Sequence, residues 1–439
     1  MEKTFILGLD CAVPKILYRD LRGELENLES IMEYKHEVRS THPPITIPAW
    51  ISMATGKTPG ELGLYGFRHR RLGSYDDLYI ANSSLIREKT LWARVGERGG
   101  YSIVVGVPPT YPPRPMKGWL ISDFITPGPE KQYTWPRSLK REIEALLGGP
   151  YMFDVEFRIH DKDRIKRDLW RMTDLQFRVI EHLVKSKRWD LLFYVLIGTD
   201  RLHHAFWKYY DPEHPKYPGA NKYEGVIPEY YKLVDKYLGR LIPLLPRDTR
   251  FVVVSDHGAK PMKGAFAINQ WLMEEGLLKL REGVKVKPGT DLKPSMIDWE
   301  HTYAWGWGGY YARIFLNVKG REPQGVLEKE EVDGFIEDLK KMIRGIRGPE
   351  GEKWATRVYT PHELYPVVNG DPPDLIVYLD DLYWRSAGTI GWPSMYLEEN
   401  DRGPDDAVHD WIGVFATNIE DHSPPETVTD IFSKSLRLL

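Results

Sequence analysis

Three stretches of this chain are almost continuously apolar and then stop at an aspartate. Residues 5–9 run into Asp10, residues 191–199 into Asp200, and residues 251–255 into Asp256. A strand with one wet face alternates apolar and polar residues. A run that is apolar throughout needs cover on both faces, which is the situation of a strand inside a parallel sheet. Residues 101–107, 119–122, 313–318, 374–379 and 411–416 read the same way. Helical periodicity lies between such runs, at 90–97, 165–186, 228–244, 267–275 and 332–342. Strands alternating with helices predict an α/β fold, a mostly parallel central sheet with helices on both faces. The 439 residues would allow two or three domains, but the rhythm predicts a single elaborated domain over 1–439. Two segments break it. Residues 125–165 are rich in Pro, Gly and charge, and residues 259–310 are basic and then aromatic. Both read as inserts capping the sheet's active edge, the alternative being peripheral packing.

In open α/β sheets ligands bind beyond the carboxyl ends of the strands. Asp10, Asp200 and Asp256 should therefore converge on one edge, where crowded carboxylates resist ionising together unless they share a cation. Imidazoles accompany them. His204 lies four residues after Asp200, one helical turn along if a helix starts there. His257 follows Asp256 directly, and His409 precedes the last strand. Carboxylate oxygen with imidazole nitrogen suits Zn²⁺, Mn²⁺ or Fe²⁺ better than Mg²⁺ or Ca²⁺. Thr46 precedes Ile47-Pro48, and Gly56 follows, which frames a short helix with Pro in its first turn and Gly at its end. The free N–H groups at that helix mouth favour an anion. Thr46 could be no more than a cap. In the company of these carboxylates and imidazoles, the reading as a metal-activated nucleophile is favoured.

At these residues the sequence resembles the alkaline phosphatase superfamily, most closely its type I phosphodiesterase/nucleotide pyrophosphatase branch. The matching motifs are Leu9-Asp10, Thr46-Ile47-Pro48, the Thr55 to Gly63 segment, Asp200 to His204, Ser255-Asp256-His257-Gly258 and His409, in the family's order over nearly the whole chain. The resemblance implies two divalent metal ions, Zn²⁺ or alternatively Mn²⁺. Asp200, His204 and His409 would hold one, and Asp10, Asp256, His257 and the Thr46 oxygen the other. Thr46 would carry the phosphoryl group covalently, and Asn82 would contact a non-bridging phosphate oxygen. Cys11 stands where glycine is common and is read as a small buried residue without chemistry. The function implied is a phosphodiesterase or nucleotide pyrophosphatase. A phosphomonoesterase or phosphomutase would share the metal site, although mutases of this group usually use Ser. A catalytically degenerate metal- or nucleotide-binding protein is the alternative of another class. The absence of a modified Cys or Ser in a Cys-x-Pro-x-Arg context argues against a sulfatase.

Net charge is −3, which excludes nucleic-acid polymers held by charge alone but not a small phosphate ester such as a nucleotide. Trp305, Trp307, Tyr310 and Tyr311 could stack on a base, or pack locally; Lys285, Lys287 and Lys293 could meet a second phosphate, or form a solvated face. The single cysteine, with no signal-peptide or membrane-spanning pattern near the start, is read as cytoplasmic. Only 8 Asn and 4 Gln beside many Arg, Glu and Pro lean towards a thermophilic source.

Overall fold

The computed structural model describes residues 2–420 and 423–439. The chain gathers into two compact units, one made of Met1–Leu62, Ala81–Ala259 and His409–Leu439, the other of Gly63–Ile80 and Lys260–Val408.

The first unit is built on an eight-stranded sheet. In chain order its strands are β1 (Thr4–Leu9), β2 (Tyr34–Arg39), β3 (Ser102–Val105), β4 (Gly118–Ile121), β5 (Thr134–Trp135), β6 (Leu191–Leu196), β7 (Arg250–Val254) and β8 (Ile412–Thr417). Across the sheet they stand as β2-β8-β7-β1-β6-β3-β4-β5. The five strands from β7 to β4 are parallel, and β2, β8 and β5 are antiparallel to their neighbours. The parallel centre is buried as its apolar pattern requires: every residue of β1, β3 and β6 lies inside.

Four helices matter for the site: α1 (Thr46–Thr55), α3 (Lys162–Ser186) with α4 (Gly198–Tyr210) packed on it, and α5 (Val226–Leu241); α2 (Leu91–Glu97) is capped by the Thr90 side chain. The buried α1 ends where expected, at Gly56 in the left-handed region (φ 70°), whose N–H donates to Ser52 O. Gly8 is glycine because a Cβ there would overlap the Trp50 ring of α1 and stand 2.9 Å from Val195 Cγ2. The Trp50 ring thus seats α1 directly on β1.

Two expected strands lie elsewhere. Ala312–Leu316 and Leu375–Tyr378 belong to a four-stranded sheet of the second unit, with Ala304–Trp307 and Arg357–Tyr359, and all its pairings are antiparallel. Apolar continuity reports burial, and this sheet is buried in its own core of Trp271, Trp299, Phe315, Leu339 and neighbours. In that core Trp305 packs edge-on against Trp299 and under Arg70, and Tyr311 is buried with its hydroxyl donating to Tyr65 O. These two rings are local packing. Lys285, Lys287 and Lys293 are exposed.

Gly8→Ala should destabilise the chain by about 1–3 kcal/mol through overpacking against Trp50, read as a lower denaturant midpoint at unchanged slope. An unaltered midpoint would show that α1 is free to shift.

Candidate metal centre

Adjacent parallel strands end level with one another, so β1, β6 and β7 deliver Asp10, Asp200 and Asp256 to one edge. β8 runs antiparallel to β7, pairing Phe415 with Val254, so the chain entering β8 brings His409 to that edge as well. Asp200 sits in the first turn of α4, and His204 follows on the same face. His203 points away. It donates through Nδ1 to Cys11 O (3.0 Å) and accepts from the Tyr231 hydroxyl, and burial holds it neutral, down to about 3.

Each carboxylate has one oxygen tied and one left over. Trp50 Nε1 donates to Asp10 Oδ2 (2.7 Å), Arg201 to Asp200 Oδ2 (2.6 Å) and the Cys11 backbone N–H to Asp256 Oδ1 (3.1 Å). Asp10 Oδ1, Asp200 Oδ1 and Asp256 Oδ2 are fully buried with no aligned hydrogen bond. The imidazoles are tied in the same manner. His257 Nδ1–H donates to Gly258 O and His409 Nδ1–H to Pro44 O, which turns both Nε2 atoms towards the carboxylates.

The atoms so presented form two groups. In one, His257 Nε2 lies 3.1 Å from Asp256 Oδ2, 3.8 Å from Asp10 Oδ1 and 3.4 Å from Thr46 Oγ1. In the other, His204 Nε2 lies 3.2 Å from Asp200 Oδ1 and 3.3 Å from His409 Nε2, which is itself 3.7 Å from Asp200 Oδ1. The His257 and His409 rings stack at 3.7 Å, so the groups abut. Donors bound to one ion at 2.0–2.1 Å stand about 3.3 Å apart in a tetrahedron. Spacing, donor chemistry and the three unpartnered carboxylate oxygens fit divalent metal in both groups.

Without metal the centre is electrostatically costly. Burial, with the charges of Asp256 and Asp200, pushes Asp10 well above the usual carboxylate range. Burial also presses Asp200 upwards, but His204, Arg201 and His409 together hold it well below. Burial would lower His257, yet Asp256, Asp10 and Asp200 outweigh it and raise the ring to about 9. Burial and the neighbouring His257 push His409 well below its ordinary value.

Thr46 is the first residue of α1, with Ile45 at the cap position, and its hydroxyl faces His257 rather than closing the helix end. Asn82 lies outside these two groups of short contacts. Its side-chain oxygen accepts from Ser84 N and caps a short 3₁₀ turn.

Several supporting residues were not found by sequence reasoning. Arg201 is clamped by both oxygens of Asp154, at 2.7 and 2.8 Å, and covered by the rings of Phe124 and Phe157. Phe157 also faces the His204 ring. Ser40 Oγ donates to Asp256 O and Thr199 Oγ1 to Asp10 O, holding the two strand ends. Trp50 carried a usable signal, one turn after Thr46 on the same helix. Asp154 carried none.

A family model for type I phosphodiesterase / nucleotide pyrophosphatase matches residues 4–405. The chain belongs to that family and is a hydrolase of phosphate esters; the family is metal-dependent. The match stops just short of His409. No curated protein matches the sequence. Among solved structures, the chain is similar to phosphonoacetate hydrolase from Sinorhizobium meliloti 1021 in complex with phosphonoformate, with TM-score 0.64 and 15% identity over 99% of this chain and 95% of that one. It is also similar to human ectonucleotide pyrophosphatase/phosphodiesterase 5 (TM-score 0.56, 14% identity, 100% and 94% covered). The inactive threonine-to-alanine form of the murine counterpart, in complex with AMP, gives TM-score 0.54 at 14% identity, with 100% and 95% covered. These likenesses establish the fold. Among the described residues no helix is long and apolar enough to cross a membrane.

Two outcomes follow. His257 titrates at about 9 in the metal-free fold against an ordinary 6.5. Its contribution is complete below pH 6.5 and is lost as pH rises through 9. Metal-stripped protein should therefore lose about 3 kcal/mol of stability over that window, while metal-loaded protein, its ring nitrogen committed, should not. Denaturant melts at pH 6 and 9 measure this, and equal slopes for both forms would refute it. Trp50→Phe removes the donor to Asp10 and should weaken metal binding about 10–100-fold in competition with a chelator; undiminished affinity would make Trp50 a packing residue only.

Proposed function

We propose that this chain is a metal-dependent phosphodiesterase or nucleotide pyrophosphatase that works through a phospho-threonine intermediate at Thr46. One observation carries the reading: a buried threonine hydroxyl at a helix N-terminus lies 3.4 Å from His257, beside carboxylate oxygens whose only unmet need is a cation. Asp10, Asp256, His257 and the Thr46 oxygen would hold one ion and Asp200, His204 and His409 the other. Zn²⁺ suits these donors, with Mn²⁺ the alternative. The bound ions would supply charge neutralisation on the phosphoryl oxygens and a lowered hydroxyl pKa.

The residues then divide the work. α1 presents Thr46 with free N–H groups and the positive end of its dipole towards the anion. Thr46 Oγ bonds to phosphorus, the ester oxygen leaves, and the threonine proton ends on the departing alcohol. Water then cleaves the Thr46–phosphate bond, restoring the hydroxyl and releasing a phosphate monoester. Asn82, from its turn, would contact a non-bridging oxygen. The inactive threonine variant and the bound AMP of the murine relative support a threonine nucleophile and a nucleotide-sized substrate. The single cysteine, buried and free, suits the cytoplasm.

Metal-stripped protein given back Zn²⁺ or Mn²⁺ should cleave bis-p-nitrophenyl phosphate in preference to p-nitrophenyl phosphate. Monoester preference would favour the phosphatase or mutase reading, and bound metal without turnover of either would favour a binding protein. Thr46→Ala should lower turnover by at least about a thousandfold while metal stays bound; unchanged turnover would eliminate the covalent route.

A further inference from the structure

We infer that Cys11 is a metal ligand, its sulfur joining Asp200 and His204 around one ion. The inference rests on the two-metal reading above and goes beyond it, because neither the motifs nor the proposed ligand sets assign the cysteine a role.

The donor atoms of Cys11, Asp200 and His204 all lie within 4.8 Å of one another, and all three residues are fully buried. An independent feature points at the same spot: Asp200 Oδ1 is inside the protein, unpartnered by any aligned hydrogen bond, and faces this group. The thiol donates weakly to Gly258 O at 3.4 Å. The backbone adds a third observation. Cys11 has φ 62°, in the left-handed region that glycine adopts freely and side-chain-bearing residues rarely do. In that conformation the Cys11 sulfur lies within 4.8 Å of the Asp200 and His204 donor atoms. Strain of this kind persists where surrounding structure over-determines it, and it gathers at functional sites.

On coordination the S–H bond is lost, an S–metal bond forms, and the proton leaves to solvent. The consequence is selectivity. Carboxylate and imidazole alone leave Zn²⁺ and Mn²⁺ both admissible, whereas a soft thiolate favours Zn²⁺ or Co²⁺ over Mn²⁺ or Mg²⁺. The ion held through Asp200 would then be chosen by Cys11 more than by the carboxylate and imidazole donors, which are of the same kinds as those at the other site.

Cobalt separates this inference from the reading beneath it. Metal-stripped full-length protein is titrated with Co²⁺. Visible ligand-field bands report occupancy whatever the donors, and a near-ultraviolet charge-transfer band reports sulfur. The expected result is both signals in the parent protein and only the visible bands in Cys11→Gly, a substitution that relieves the φ 62° backbone and so should keep the fold. Zn²⁺ affinity should fall at least about tenfold in the variant, and Mn²⁺ affinity much less. Visible bands without the charge-transfer band in the parent, or Zn²⁺ affinity unchanged in Cys11→Gly, would overturn the inference and leave the two-metal reading standing. Failure of Co²⁺ to bind at all would overturn both.

Discussion

Three aspartates buried at the ends of three neighbouring strands are the constraint around which the first unit is organised. Asp10 and Asp256 present oxygens within 4.8 Å of each other, and two like charges at that distance repel by about 3 kcal/mol at an effective dielectric of 20. A folded domain has only about 5–15 kcal/mol of net stability, so three such charges cannot be tolerated unanswered. The parallel order β7-β1-β6 makes their convergence unavoidable, since each strand ends at the same level. The antiparallel entry of β8 then places His409 where it opposes them.

The protein answers by dividing each carboxylate in two. One oxygen is spent on a fixed donor (Trp50, Arg201 or the Cys11 amide) and the other is left buried without an aligned hydrogen bond. The same division in His257 and His409 uses backbone carbonyls. Such ties fix the tautomer and orientation of the groups they hold. They also link the site to the sheet. The Trp50 ring fills the space that Gly8 leaves open while its N–H holds Asp10, so the helix that carries Thr46 and the strand that ends in Asp10 are kept in register by one side chain.

This explains what was legible in the sequence. Apolar runs ending in aspartate identify both the strands and the acidic groups that gather at their ends, because one physical fact, a strand buried on both faces, dictates both. His204 follows from helical spacing and His257 from adjacency to Asp256. The ties were mostly invisible. Asp154 reaches Arg201 across 47 residues, and no local pattern announces a contact made by folding. β2, with Lys35, His36, Glu37 and Arg39, has no apolar run and is not among the expected strands, yet it pairs at the sheet's edge where a charged face is solvated. Residues 313–318 and 374–379 were recognised as strands but not as members of a second sheet, since apolar continuity reports burial and is silent about the partner.

The strand ends are fixed by the sheet, and their side chains by the ties. The freedom lies in the loops. In the segment leading into α3, the Phe157 ring packs with the guanidinium groups of Arg158 and Arg201 and faces His204, while Asp154 holds Arg201 against Asp200. One stretch of chain thus holds Arg201 against Asp200 and sets an aromatic ring beside His204, so both groups depend on the packing of a loop rather than on the sheet alone.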